Sequence, residues 1–209
     1  MKCWAAAAGV LFSALLVSQA MPDLRACEVD RARRDFDVAT ALRECWRMAE
    51  HGYPDAQLIL GVMYADGWGV PQDDREAVKW FRRAAEQGNA FAQFHLGSAY
   101  ANGRGVPQHD REAMKWFRRA AEQGDILAQV NLGEMYAKGQ GGPEDDLFAY
   151  FWFILAASRT DTGGWSGDLL KARDLVVNRL TPEQRAKAQD MARDWKPKPE
   201  RPTGPTPGK

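Results

Sequence analysis

The sequence predicts an all-α protein, a solenoid of antiparallel helix pairs, because one sequence pattern occurs three times along the chain. Trp80, Trp116 and Trp152 are 36 residues apart. Residues 52–87 match residues 88–123 at 25 of 36 positions. Each copy holds two stretches with helical periodicity, and a unit of two helices can bury its apolar face only against its neighbours.

The length and net charge of the chain exclude some classes of function. The chain has 209 residues, and three copies with their flanking helices fill it, so we expect no separate catalytic domain. Lys plus Arg and Asp plus Glu number 28 each. This balance does not favour binding to a phosphate backbone, so we expect no nucleic-acid partner.

Residues 1–20 have the pattern of a cleavable signal peptide. Lys2 supplies the positive charge, residues 3–17 are apolar, and Ser18 and Ala20 are small residues suited to cleavage after Ala20. The alternative is a retained anchor, but roughly 15 apolar residues are fewer than the ~20 that a spanning helix needs. We therefore expect a periplasmic or secreted protein with no stable membrane span.

Residues 21–52 are predicted to form a degenerate N-terminal capping hairpin. After signal removal it would hold the two remaining cysteines, Cys27 and Cys45. A turn at residues 35–37 would bring them face to face, and an oxidising compartment would allow them to form a disulfide. Such a bond stabilises a fold by about 2–4 kcal/mol.

Two other interpretations of these cysteines stay open. They could be two buried thiols, because spacing alone does not show that their Cβ atoms converge. Residues 24–27 could also be a lipoprotein cleavage box, although Asp23 and Arg25 interrupt the apolar sequence expected before Cys27.

Residues 53–160 are predicted to be three repeats, each with a first helix, a glycine loop and a second helix. In the first repeat Pro54 begins the first helix and Gly67 ends it. Gly88 and Gly124 follow the second helices and are expected to adopt left-handed backbone conformations.

Polar residues indicate where the second helices begin. Asp73 is the expected N-cap of the first of them, with Glu76 completing a capping box. The second repeat has His109 at the N-cap position, so we expect Asp110 to interact with that helix end less directly.

Comparing the copies separates a fixed face from a variable one. Fixed apolar or small residues at helical spacing are expected to pack, namely Ala56, Leu60, Tyr64, Ala77, Trp80, Ala84 and Ala85. A second stripe on the first helices changes in each copy. This variable stripe consists of Asp55, Ile59, Val62, Asp66, Phe91, His95, Ser98, Asn102, Leu127, Asn131, Glu134 and Lys138.

The variable stripe is the predicted partner-binding surface. In helical solenoids the inner helices line a concave groove, and a stripe free of packing constraints can diversify there to bind a protein or peptide. The alternative is a solvated face that varies because nothing depends on it.

The C-terminal third of the chain is predicted to cap the solenoid. Residues 147–157 are apolar on all sides and must be covered. Residues 161–195 can cover them with one helix at residues 167–180 and a last helix that begins after Thr181. The alternative is that a partner protein covers the apolar residues. The proline-rich residues 196–209 are expected to be extended and disordered.

Three motifs in the first repeat are typical of one family of repeats. They are Ala-Gln-x-x-Leu-Gly-x-x-Tyr-Ala-x-Gly-x-Gly-Val-Pro-Gln at 56–72, Ala-x-x-Trp at 77–80 and Ala-Ala at 84–85. Residues 41–157 are similar to the Sel-one-like repeat, a branch of the tetratricopeptide-like superfamily. The 36-residue spacing and the Gly-x-Gly loop distinguish it from the 34-residue tetratricopeptide unit.

The resemblance implies a right-handed α-solenoid that acts as an adaptor, often in exported bacterial pathways. Some cysteine-rich relatives bind or hydrolyse β-lactams, so a protein that binds or hydrolyses a β-lactam or peptidoglycan fragment is the alternative function. Those relatives have a disulfide in most repeats, whereas Cys27 and Cys45 can form at most one.

No set of residues predicts an enzyme, a metal site or a cofactor. The Ser-x-x-Lys motif is absent, and His51, His95 and His109 lack the spacing of a zinc helix. His95 and Glu134 share the variable stripe and could meet as a weak acid–base pair.

Trp68 is a candidate anchor for a partner, because the corresponding residues are Arg104 and Gln140 and packing therefore does not require an indole. It could equally fold onto its own turn. Because both ends of the solenoid are capped, we expect a monomer.

Overall fold

The computed structural model describes residues 38–158 and 167–198, and helices dominate both ranges. The helices are α1 (Val38–Glu50), α2 (Pro54–Asp66), α3 (Asp74–Glu86), α4 (Ala90–Asn102), α5 (Asp110–Gln123), α6 (Ile126–Lys138), α7 (Asp146–Ser158), α8 (Gly167–Arg179) and α9 (Pro182–Asp194). From α1 to α8 each helix packs against the next, and α9 packs against α7. Packing between sequence neighbours defines a solenoid, which confirms the predicted fold class.

Glycines end the helices where the sequence predicted. Gly67, Gly103 and Gly139 follow the first helices with φ of 70°, 65° and 63°. Gly88 and Gly124 follow the second helices with φ of 90° and 96°. Residues with a side chain rarely adopt these angles, so each glycine fixes a sharp exit from its helix.

The start of α3 differs in one detail from the prediction. Asp73 is the N-cap and accepts the amides of Arg75 and Glu76. The capping box, however, was wrong, because the Asp73 amide donates to the Tyr64 carbonyl and the Glu76 carboxylate pairs with Lys79.

At the start of α5 the histidine itself is the cap. Nδ1 of His109 accepts the Glu112 amide at 3.3 Å. Asp110 lies in the first turn of this helix, where its charge can interact with the helix end without capping it.

Glycine also lets the two helices of each repeat approach closely. A Cβ atom added to Gly97 would lie 2.8 Å from Cδ1 of Phe117, which is 1% exposed. The same contact recurs between Gly133 and Phe153, so the aromatic ring of the second helix packs directly on the backbone of the first.

Buried glutamines connect the repeats. Gln93 is fully buried, and its Nε2 donates to the Ala85 carbonyl at 3.1 Å. Its Oε1 accepts from Gln123 Nε2 at 2.8 Å. One side chain thus joins α3, α4 and α5, and Gln57 and Gln87 repeat the arrangement one unit earlier.

The apolar helix α7 is covered by the C-terminal helices, as the sequence predicted. Phe151, Trp152 and Phe153 are buried in one cluster with Val176 and Ala188 from α8 and α9. Thr181 and Gln184 form a capping box at the start of α9.

After α9 the chain turns back toward the second repeat. Trp195 packs against the same cluster as α7, and the amide of Lys198 donates to the Glu122 carbonyl at 2.8 Å. The rest of the predicted tail, residues 199–209, lies outside the described residues. The signal peptide, Cys27 and the first helix of the capping hairpin also lie outside them.

Candidate functional site

The variable stripe lies along α2, α4 and α6, the first helix of each repeat. Its most exposed members are Asp66, Phe91, Asn102, Leu127 and Lys138. The others keep only part of their surface in solvent, namely Asp55, Ile59, Val62, His95, Ser98, Asn131 and Glu134. The structure therefore divides the stripe into exposed residues and partly buried residues that also pack against the fold.

Two large apolar side chains stand out at corresponding positions. Phe91 in the first turn of α4 is 47% exposed, and Leu127 in the first turn of α6 is 54% exposed. The first repeat has Asp55 at this position. Exposed apolar patches are typical of contact surfaces, and these two side chains occupy the same end of the stripe in successive repeats.

Asp55 is held by the next repeat. Nδ2 of Asn89 donates to its Oδ1 at 2.8 Å, while Oδ1 of Asn89 accepts the Ala92 amide and caps α4. Burial raises the pKa of Asp55, and the Asn89 hydrogen bond acts in the opposite direction. Sequence analysis missed Asn89 because it lies outside the stripe, although the residue there changes from Asn89 to Asp125 one repeat later.

His95 is an aromatic packing residue. Its ring stacks on Phe81 with centroids 4.8 Å apart and planes 9° apart, and Phe94 contacts it edge-on. Burial lowers the pKa of His95 to about 4, and the charge of Asp66 opposes this shift only in part. His95 is therefore neutral near pH 7.

The weak acid–base pair considered from the sequence is not formed. His95 stacks on Phe81, and Glu134 makes an ion pair with Lys138, with Nζ and Oε2 2.8 Å apart. A neutral ring in an aromatic stack and a neutralised carboxylate are poorly suited to transferring protons together.

Two asparagines offer polar contacts on the same surface. Nδ2 of Asn102 donates to the Ser98 carbonyl, and Nδ2 of Asn131 donates to the Leu127 carbonyl, both at 2.8 Å. Each bond is made to the residue's own helix. The amide oxygen of each side chain is left as an acceptor for an incoming N–H group.

Trp68, the candidate loop anchor, is partly buried. It packs against the first hydrophobic cluster, which includes Met48, Met63 and Trp80. Part of the ring stays at the surface, so it borders the first repeat without projecting freely from the loop.

Among residues 38–158 and 167–198, no three His, Cys, Asp or Glu side chains come together as a metal site. Within the same ranges no helix is long and apolar enough to cross a membrane.

Comparison with known proteins identifies the repeat. The Sel1 repeat model matches residues 54–89, 90–125 and 126–161, which is more than half of the chain. The chain belongs to the Sel1 repeat family. No curated protein matches its sequence significantly.

Two solved structures are similar to this Sel1 repeat protein. One is c5321, a protective antigen of uropathogenic Escherichia coli with an SLR fold, at 33% identity and a TM-score of 0.66 over 77% of this chain. The other is a Sel1 repeat protein from Oxalobacter formigenes, at 40% identity and a TM-score of 0.58 over 65% of this chain. This chain spans 33% and 39% of those two chains, respectively.

The structure explains the Gly-x-Gly loop of the Sel1 repeat. A Cβ atom on Gly105 would collide with the carbonyl of Asp74, so the loop lies directly on the start of α3. Nη2 of the adjacent Arg104 reaches Oδ1 of the same Asp74 at 3.1 Å. The loop thus joins one repeat to the second helix of the preceding one.

Cys45 is completely buried in the first cluster. Its predicted partner Cys27 lies outside the described residues, so the disulfide stays a prediction.

Proposed function

We propose that this Sel1 repeat protein is an adaptor that binds a protein or peptide partner through the variable stripe, on the concave face of its repeats. Sel1 repeats are in general protein-interaction scaffolds. The observation that carries the proposal is the pair Phe91 and Leu127, 47% and 54% exposed at corresponding positions of a face that changes from repeat to repeat.

The surface suits an extended segment with an apolar side chain. Phe91 and Leu127 offer an apolar contact, and the amide oxygens of Asn102 and Asn131 can accept backbone N–H groups. A few anchoring side chains that a partner buries supply most of the binding free energy of an interface, so we expect the Phe91 ring to contribute most and Leu127 to extend the apolar contact.

The experiment is affinity capture from cell-envelope extract with matched variants. One variant carries Phe91→Ser and Leu127→Ser. The control carries Leu170→Ser and Leu175→Ser, which remove the 43% and 64% exposed leucines of α8. A partner retained by the parent and the control but lost by the stripe variant supports the proposal, and it is then confirmed by titration with the purified partner. A partner lost only by the α8 variant, or bound equally by all three, contradicts it.

We further propose that the protein is exported, with cleavage after Ala20, and that Cys27 and Cys45 form a disulfide in the mature chain. The sequence pattern of residues 1–20 supports export, and the position of Cys45 inside the first cluster is compatible with a bond that fastens the opening hairpin. Mass spectrometry of the protein from the periplasmic fraction tests both points. A mature N-terminus other than Met21, or two free thiols, would refute the corresponding part.

We also propose that the chain is a monomer, because the C-terminal helices cover α7 at one end of the solenoid. Light scattering at several protein concentrations tests this, and a mass twice that of one chain would contradict it.

A further inference from the structure

Three aspartates occupy the same position at the start of the second helices. Asp74, Asp110 and Asp146 are 36 residues apart and are the first residues of α3, α5 and α7. All three are partly exposed. A carboxylate can accept two parallel hydrogen bonds from a guanidinium, so each of these positions can hold an arginine side chain.

The first and the third of these aspartates do hold one. Nη2 of Arg104, in the glycine loop of the second repeat, lies 3.1 Å from Oδ1 of Asp74. Nη2 of Arg179, at the end of α8, lies 2.6 Å from Oδ1 of Asp146. One arginine comes from a loop and the other from a capping helix, so the contact belongs to the aspartate's position and not to one particular loop.

The middle aspartate differs from the other two. The residue corresponding to Arg104 is Gln140, and its side chain is exposed. Among residues 38–158 and 167–198, the Asp110 carboxylate accepts one hydrogen bond, from Nε2 of Gln108 at 3.4 Å. That distance exceeds the usual range of about 2.7–3.2 Å. Within this part of the chain Asp110 therefore lacks the arginine that its two counterparts have.

A cleft lies where that arginine would be. It opens between the start of α5 and the glycine loop of the third repeat, and its volume of about 650 Å³ is within the range of about 300–1,000 Å³ typical of ligand sites. The loop has Gly142 where the second repeat has Val106, which packs against a hydrophobic cluster. The residues that line this arginine cleft are His109, Asp110, Arg111, Gly139, Gly141, Gly142 and Pro143.

The loop approaches the helix in the same way in both repeats. A Cβ atom on Gly105 would collide with the carbonyl oxygen of Asp74, and one on Gly141 would lie 2.6 Å from that of Asp110. The two glycines have φ of 68° and 78°. Position 140 is therefore placed relative to Asp110 much as position 104 is placed relative to Asp74.

We propose that the arginine cleft binds an arginine side chain of a partner protein or peptide, with the guanidinium on the Asp110 carboxylate as Arg104 lies on Asp74. Both internal examples use arginine, whose planar group offers several donors to a carboxylate where lysine offers a point charge. Arg111 does not prevent this, because Arg75 has the corresponding position beside Asp74 and Arg104 still reaches that carboxylate.

The arginine cleft is separate from the variable stripe's apolar contact. It follows the last turn of α6, whereas Leu127 lies in the first turn of that helix. A helix of 13 residues is about 20 Å long. The cleft is open to solvent, so a partner's side chain can enter it while the partner's backbone stays outside.

The test is an NMR titration of the ¹⁵N-labelled mature protein with the blocked tripeptide acetyl-Gly-Arg-Gly-amide. We expect saturable shifts of the Asp110, Gly139 and Gly141 amides with a Kd in the millimolar range, because an exposed ion pair is weak. The citrulline analogue has a similar shape without the charge and should bind roughly tenfold more weakly. The lysine analogue should bind roughly threefold more weakly.

Two variants of the arginine cleft should abolish peptide binding. Gln140→Arg should fill the cleft from within, with a residue that the second repeat already accommodates at this position. Asp110→Asn should remove the charge that holds the guanidinium. Asp74→Asn is the matched control and should bind the peptide as the parent does, because Arg104 already covers that carboxylate.

Several results would overturn the proposal. They are the absence of saturable binding by the parent, equal binding of the citrulline analogue, and binding that survives both Gln140→Arg and Asp110→Asn. Free arginine that binds at least roughly tenfold more tightly than the peptide would also overturn it, because the site would then recognise the free amino acid. The Phe91→Ser and Leu127→Ser variant should bind the peptide normally, which separates a failure of this proposal from a failure of the stripe; loss of binding there would contradict a separate site.

Discussion

The rings of Phe81 and His95 stack across the junction between the first and second repeats, with centroids 4.8 Å apart. Phe81 also lies against the backbone of Gly61, so it is held between helices of two repeats. The histidine of the variable stripe therefore contributes to stability, which leads to a prediction about pH.

We predict that His95 makes stability fall as the pH falls from about 6.5 to 4. Burial lowers the pKa of His95 from 6.5 to about 4 in the folded state. Between these values the unfolded chain binds a proton that the folded chain does not, so acid favours unfolding. The full shift corresponds to at most about 3 kcal/mol, because the ring keeps some solvent contact.

The measurement is urea unfolding of the parent and of His95→Asn, which has the residue found at Asn131 in the next repeat. The variant should lose less stability between pH 7 and pH 4.5. Burial raises the pKa of Asp55 and of Asp125, which has the opposite effect on stability, but both groups are common to the two proteins. Identical pH dependence would show that His95 is not the group responsible.

We predict that Gly97→Ala destabilises the protein although alanine is the better helix former. The new Cβ would lie 2.8 Å from Phe117 Cδ1, and overpacking a filled core typically costs about 1–3 kcal/mol. Thermal unfolding should show a lower Tm, and adding Phe117→Leu should recover part of the loss. The neighbouring Ser98→Ala is the control, and an equal effect there would mean that packing against Phe117 is not the cause.

We predict that Gln93→Met costs about 1–3 kcal/mol more than Gln129→Met. Both glutamines are fully buried, but Oε1 of Gln93 accepts from Gln123, whereas Oε1 of Gln129 has no partner among the described residues. Methionine fills a similar volume, so the comparison isolates the hydrogen bond between repeats. Equal losses of unfolding free energy would contradict the role given to Gln93.

We predict that Asn89→Ser raises the pKa of Asp55 further. Serine can still cap α4 through its hydroxyl, but it lacks the amide that donates to Asp55 Oδ1 at 2.8 Å. That bond lowers the pKa against the larger effect of burial. An NMR titration of the Asp55 carboxyl carbon measures the change. Asn89→Asp is the comparison, since a second carboxylate should raise the pKa more, and an unchanged value in both variants would contradict the assigned contact.

Patterns that repeat in the chain predicted most of the fold. Helix periodicity and glycine positions depend on a few consecutive residues, so Pro54, Gly67 and Thr181 mark helix ends without any tertiary information. The hydrogen bonds at the helix N-termini were less predictable. The Asp73 amide, for example, donates to the Tyr64 carbonyl, which lies nine residues earlier in the preceding helix.

The sequence predicted which residues of the first helices vary between repeats, but it did not predict what those residues contact. Comparing three copies showed which residues of the first helices vary, and the structure keeps them on one set of helices. Comparing the sequence copies could not show that Asp55 accepts a hydrogen bond from Asn89 or that His95 stacks on Phe81. Those contacts depend on how far one repeat is rotated against the next.

By itself, the sequence determined that this chain is a solenoid of 36-residue helix pairs, because the period is written into it three times and each unit needs a neighbour to bury its apolar face. The tertiary structure alone decided which variable residues remain exposed, as Phe91 and Leu127 do, and that Lys198 returns to Glu122. Contacts over such sequence distances depend on the accumulated packing geometry of every helix between them, which no local pattern encodes.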